Sequence, residues 1–213
     1  MSEILYTTID SDSTFELEEK RSVFIGYASN VSTEEAAKAF IQRIKAKHHD
    51  ARHNCSAYIL RSGVMRYSDD GEPQGTAGQP MLNVFQRQSV TNVCCVVTRY
   101  FGGILLGAGG LTRAYTKGAK DALDVAGIAR MSLWTLWEVE CTYPLFERMK
   151  LEITAQGGVI RNTEYGADIL IRAAFPAGMA EQFQERLTEL SAGQLTMIEA
   201  GEEFLPGPRE EPK

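Results

Sequence analysis

The stretch that most constrains this chain is residues 92–99, Asn-Val-Cys-Cys-Val-Val-Thr-Arg. It is an almost continuous apolar run of strand length, with no polar face to offer water, so it predicts a strand buried on both faces. The adjacent Cys94 and Cys95 then point to opposite sides of the sheet. A glycine-rich turn over residues 102–110 follows and leads into a helix expected from about Leu111 to Ala126, ended by Gly127.

The flanking sequence supplies partners for that strand. Residues 23–31, dense in Val, Phe, Ile and Tyr, read as a strand. Ser32 with Glu35 has the spacing of a capping box and opens a helix to about His48, with Ala36, Ala37, Phe40, Ile41 and Ile44 on one face. Residues 55–60 form a strand that pairs with the segment 65–67. Residues 69–78 are a long polar loop, and a short helix begins within 80–85. Past Arg130 the character changes. Strands over 135–143, 159–165, 168–175 and 195–203 alternate with helices over 144–156 and 178–190, the first with proline near its start. The order βαββαβ is that of a ferredoxin-like sandwich. The expected fold class is therefore α+β in two domains, 1–130 and 131–205. An acidic leader over 1–19 and a tail over 206–213 that frays complete the chain.

The net charge of −6 is unevenly spread. Residues 1–19 hold six acidic and no basic residues; residues 20–130 hold 15 basic against 8 acidic; residues 131–213 hold 7 basic against 14 acidic. The middle segment, at +7, is where a polyanion would be met. The first residues are acidic and polar rather than leader-like, and no apolar run approaches the ~18 residues of a membrane helix. The four cysteines show no C-x-x-C spacing, which fits a reducing cytosol. A cytoplasmic protein without membrane association is expected.

Two segments could carry chemistry. In residues 68–78, Ser-Asp-Asp-Gly-Glu-Pro-Gln-Gly-Thr-Ala-Gly, glycines and a proline exclude helix and central strand, so the segment is a shaped loop. Its carboxylates, Asp69, Asp70 and Glu72, could hold Mg²⁺ or act as general acid and base, or could cap turns and pair with arginines. In residues 98–115 a buried strand passes through Gly102, Gly103, Gly107, Gly109 and Gly110 to a helix start, where unpaired amides can hold an anion. Arg99, Arg113, Lys117 and Lys120 add positive charge, the last three on one helix face. Tyr100 and Phe101 would stack on bases or pack. No acid follows a second strand at the dinucleotide-binding distance, so the pattern is only a weak dinucleotide signal, and no Gly-Lys-Ser/Thr ends the turn, so it is not a Walker loop. His49, His53 and Cys55 lack the second ligand pair a zinc site needs, and His53 and Cys55 lack a third group to orient them as a nucleophilic pair. No catalytic residue, metal site or cofactor is assigned.

The text His53–Tyr58 (HNCSAY), the loop at 68–78 (SDDGEPQGTAG) and residues 99–115 (RYFGGILLGAGGLTRAY) resemble the IMPACT family, and its bacterial members in particular. Lys20-Arg21-Ser22-Val23-Phe24 resembles the family's opening Lys-Ser-Arg-Phe motif with the Ser/Arg order altered. The resemblance spans about residues 16–200. It implies a first domain with a left-handed βαβ crossover like that of a ribosomal protein and elongation factor G domain IV, and a second domain like elongation factor G domain V. Eukaryotic members regulate translation by competing for the activator of an initiation-factor kinase, a pathway bacteria lack. The resemblance and the basic segment together point to a translation regulator that binds RNA or the ribosome, without DNA sequence specificity, through Arg99, Arg113, Lys117 and Lys120. The alternatives are an enzyme acting on a phosphorylated or nucleotide ligand with Mg²⁺ at the acidic loop, and a competitor that binds a regulatory protein.

Overall fold

A computed structural model describes residues 4–176 and 178–207. Its strands are β1 (Ile4–Ile9), β2 (Ser13–Glu19), β3 (Ser22–Asn30), β4 (His53–Ile59), β5 (Met65–Ser68), β6 (Val93–Tyr100), β7 (Ile128–Cys141), β8 (Val159–Tyr165), β9 (Ile169–Pro176) and β10 (Met197–Pro206). Its helices are α1 (Glu34–Lys47), α2 (Gly78–Arg87), α3 (Gly107–Ala126), α4 (Tyr143–Ala155) and α5 (Ala180–Ser191). The chain is α+β and divides into two compact units, Tyr6–Ala129 and a second formed by Met1–Leu5 with Arg130–Lys213.

In the first unit the sheet order is β2-β3-β6-β4-β5, every neighbouring pair antiparallel. The apolar run of β6 sits at the centre, as its composition demands. Val93 to Arg99 are all buried. Cys95 and Val97 face a core shared with α2 and α3, whereas Cys94 and Val96 face a second core under α1. α1 is capped by Thr33 rather than Ser32: the Thr33 hydroxyl accepts from Ala36 N–H at 3.1 Å. A cap oxygen must reach an amide two or three residues on, and the helix starts one residue later than the Ser32–Glu35 spacing suggests. Glu34 and Glu35 lie in its first turn and Lys45 and Lys47 in its last, which suits the helix dipole.

Residues 4–19 are not merely a leader, because they build β1 and β2. In β2, half-buried Phe15 and Leu17 alternate with exposed Glu16 and Glu18, and the two apolar side chains pack on the α2–α3 core. The acids thus line the outer face of an edge strand, where charge also discourages edge-to-edge pairing. α3 begins at Gly107, four residues before Leu111, so half of the expected glycine-rich turn is its first turn.

In the second unit β7 pairs with both β9 and β10, and β9 pairs with β8, all antiparallel. The sequence β7-α4-β8-β9-α5-β10 and the spatial order β10-β7-β9-β8 give the ferredoxin-like βαββαβ arrangement. Val139, Cys141, Ile169, Ile171, Phe175, Met149, Ile153, Phe183 and Leu187 form its core. β10 continues through Pro206, and Gly207 N–H donates to Arg130 O at 2.8 Å, so fraying does not begin at 206. Residues 208–213 of that expected tail lie outside the described residues. No helix is long and apolar enough to cross a membrane among the described residues.

Candidate functional site

One end of the first sheet gathers every segment singled out from the sequence. Register fixes this: Val23 pairs with Tyr100 and His53 with Arg99, so the β2–β3 turn, the start of β4 and the end of β6 lie side by side. The loop after β5 returns to the same end, since Ser68 is opposite Ser56.

The acidic loop is pinned down by its own carboxylates. Asp69 accepts from the amides of Gly75 at 2.8 Å, Ala77 at 3.0 Å and Gly78 at 2.8 Å. Asp70 accepts from Lys45 Nζ at 2.6 Å and Asn54 N–H at 2.7 Å. Glu72, 8% exposed, accepts from Arg99 Nη1 at 2.7 Å and from the Tyr115 hydroxyl at 2.8 Å, both on Oε1. His53 Nδ1–H donates to Asp70 O at 2.9 Å, a carbonyl being able only to accept. Its Nε2 thereby faces Glu72 Oε2 at 4.0 Å. At Gly78 the chain passes so close to the Ser68 backbone that an added Cβ would lie 2.8 Å from Ser68 N. No group of three His, Cys, Asp or Glu side chains could hold a metal ion among the described residues.

Arg99, expected to meet a phosphate, is instead 6% exposed and committed to Glu72. Its guanidinium lies 5.5 Å from the ring centres of both Phe24 and Phe101. The sequence could not show this because the carboxylate that neutralises it is 27 residues away. Burial drives the Tyr115 hydroxyl and the Cys55 thiol well above their usual pKa values, and Cys55 Sγ donates to Asp69 O at 3.0 Å. Neither is an activated nucleophile.

Lys117 and Lys120 are paired one helical turn on, with Asp121 and Asp124. Arg113 is exposed and reaches back along α3, with Nη1 3.6 Å from where a Cβ on Gly109 would stand. Gly107, Gly109 and Gly110 form the first turn of α3, which has no side-chain cap among the described residues. Three further exposed cations stand here: Lys20 and Arg21, noted in the sequence only as part of the Lys20–Phe24 motif, and Arg52, to which no sequence signal pointed. Lys20 and Arg21 form the two-residue turn between β2 and β3, at φ 47° and 62°. These left-handed conformations cost a side-chain-bearing residue ~1–2 kcal/mol each. Arg52 lies 5.6 Å from the centre of the Phe101 ring.

Gly102 ties the glycine loop to that turn. Its amide donates to Ser22 Oγ at 3.2 Å, and a Cβ on it would fall 2.0 Å from Arg21 C and O. Only glycine admits so close an approach.

The family model described as the Impact N-terminal domain matches residues 20–123, and one described as a domain of unknown function, DUF1949, matches residues 139–194. The IMPACT family member YvyE of Bacillus subtilis is 37% identical over 191 residues, covering 89% of this chain and 88% of its own. The chain belongs to the IMPACT family. YigZ of Escherichia coli, an IMPACT family member, is 38% identical, over 84% of this chain and 90% of its own. A solved structure titled "Crystal structure of an hypothetical protein" is 36% identical with a TM-score of 0.59, covering 91% of this chain and 96% of that one. Within this IMPACT chain, the Impact N-terminal match covers the cationic turn, the acidic loop and the glycine loop together.

Beside the glycine loop lies a hydrogen-bonded chain that no local sequence signal announces. Tyr100 donates to Asp50 Oδ1 at 2.9 Å and therefore accepts from His48 Nδ1–H at 2.8 Å. His48 Nε2 then accepts from the Tyr27 hydroxyl at 2.7 Å, whose oxygen accepts from Lys47 Nζ at 3.2 Å. Burial, and then the Lys47 charge, hold the His48 pKa below its usual 6.5, while Asp50 works the other way. The bond from Tyr100 holds the Asp50 carboxyl below its usual range. The unfolded chain therefore binds a proton at His48 before the folded one does. The stability this neutral ring contributes is complete above pH 6.5 and is lost as pH falls below that toward the depressed folded value. His48→Gln is expected to flatten the decline in urea-denaturation stability below pH 6.5. An unchanged slope would show that His48 titrates alike in both states.

Proposed function

We propose that this protein acts in translation by binding RNA, on the ribosome, through the cationic end of its first unit. The observation that carries the reading is that Lys20, Arg21, Arg52 and Arg113, all exposed, border the glycine loop without an ion-pair partner among the described residues. Lys45, Arg99, Lys117 and Lys120 are each matched by an acid. Unmatched guanidinium groups beside a glycine-rich helix entry are suited to phosphate, which they grip in a planar fork. Tyr100 and Phe101 supply aromatic surface next to them. The reading places the protein in the cytoplasm, with the ribosomes. An Mg²⁺-dependent reaction at the acidic loop is not favoured, because each of its three carboxylates already accepts hydrogen bonds from the protein.

Ribosome co-sedimentation at low and moderate salt tests this. The wild type is expected to pellet with ribosomes at low salt and to be released as salt rises, since phosphate binding releases counterions. Arg21→Glu/Arg52→Glu is expected to abolish pelleting, and removing a single phosphate-binding cation should lower the log–log salt slope by ~0.7–0.9. Absence of wild-type association at either salt would overturn the proposal.

A further inference from the structure

The glycine loop does not end in polar atoms. Residues 101–106 carry Phe101 at 38% exposure, Ile104 at 40% and Leu105 at 81%, while Leu106 packs inward on the α2–α3 core. The hydrogen bond and close approach at Gly102 fix the base of this loop against the Lys20–Arg21 turn. Arg52 lies over Phe101. The result is an apolar tip, one planar ring among its members, bordered by the exposed cations of the turn and of Arg52.

Duplex RNA offers such a tip little. Its bases are stacked out of reach, and side chains meet chiefly phosphates and sugar hydroxyls. Charge alone would serve there, and Leu105 would stay in water. Unpaired nucleotides differ, because each presents a base face that can cover an aromatic or aliphatic side chain while its phosphates reach neighbouring cations. Resting on the RNA-binding reading, we infer that this tip takes unpaired nucleotides. Bases lie against Phe101, Ile104 and Leu105, and Arg21 and Arg52 hold the flanking phosphates. The ligand class is single-stranded RNA, as in a loop, bulge or end, rather than a helix.

The test compares a short unstructured uridine homopolymer with an RNA duplex of equal length, by fluorescence anisotropy on the full chain. Wild type is expected to prefer the single strand. Ile104→Ser/Leu105→Ser is expected to weaken single-strand binding ~10-fold, the scale of the apolar contact that two aliphatic side chains lose, with duplex binding unchanged. Arg21→Glu/Arg52→Glu is expected to weaken both. Both aliphatic side chains are exposed, so an unshifted melting temperature for the serine pair confirms that the fold is kept. Equal wild-type affinity for strand and duplex, or a serine pair that binds the strand as the wild type does, would overturn the inference and leave the RNA-binding reading standing. No binding to either RNA would overturn both. Tighter binding to phosphatidylglycerol vesicles than to either RNA would reassign the tip to a membrane surface and overturn the inference.

Discussion

Glu72→Gln is expected to destabilise the first unit by about 3–5 kcal/mol, the range seen when one partner of a buried ion pair is removed. Glu72 and Arg99 have side chains only 3% and 7% exposed, and their N–O distance is 2.7 Å. Arg99 meets no second carboxylate within ion-pair distance among the described residues, and its Nε is buried without a hydrogen-bond partner. The glutamine therefore leaves a buried guanidinium beside Phe24 and Phe101 with no counter-charge among the described residues. It also weakens the acceptor for Tyr115, which joins α3 to the acidic loop. The melting temperature should fall by ~6–20 °C, at ~2–4 °C per kcal/mol for a chain of this size. The double variant Glu72→Leu/Arg99→Met provides the control. Apolar replacement of a whole buried pair is commonly near neutral, so it should recover the part of the loss due to the uncompensated charge, while the buried Tyr115 hydroxyl still lacks its acceptor at ~1–3 kcal/mol. A single variant that costs less than about 1 kcal/mol would mean that water reaches Arg99.

Much of this arrangement was legible in the sequence, for reasons that can be traced to particular residues. The centre of the first sheet followed from the unbroken apolar run of β6, and the ferredoxin-like order of the second unit from alternating periodicities and turn residues. β2 was obscured by its glutamates, although its Phe-Glu-Leu-Glu alternation is the mark of a half-exposed strand. The start of α3 was misplaced because three glycines in four residues argue against helix locally. Leu111, Ala114 and Tyr115 then bury a face that holds the helix together despite them. The candidate site was harder to read because its decisive contacts are long-range. Arg99 reads as an exposed cation unless Glu72 is known to lie beside it. Arg52 acquires meaning only when β4 and β6 bring it to Phe101. Lys20 and Arg21 sat inside a recognised motif, yet their role as a strained turn depends on pairing that composition does not reveal.

Gly102→Ala is expected to cost ~1–3 kcal/mol, the usual range for overpacking, and to impair RNA binding by more than that loss of stability explains. The added methyl would fall 2.0 Å from Arg21 C and O and 2.5 Å from Ser22 N. These are backbone atoms, with no rotamer to swing aside, so either the hairpin turn or the glycine loop must move. Both movements separate Arg21 from the Phe101–Leu105 tip, which the proposed binding surface needs side by side. Gly103→Ala distinguishes strain from collision. At φ 85° with nothing within 4 Å of its added Cβ, it should cost only the ~1–2 kcal/mol of a left-handed side-chain-bearing residue. The loop would stay docked in that variant, and affinity for single-stranded RNA should remain near wild type. Measured by thermal unfolding and anisotropy together, Gly102→Ala should therefore lose both properties and Gly103→Ala mainly the first. If Gly102→Ala kept wild-type stability and affinity, the loop could not be in contact with the turn. Arg21 and the apolar tip would then have to act as separate surfaces.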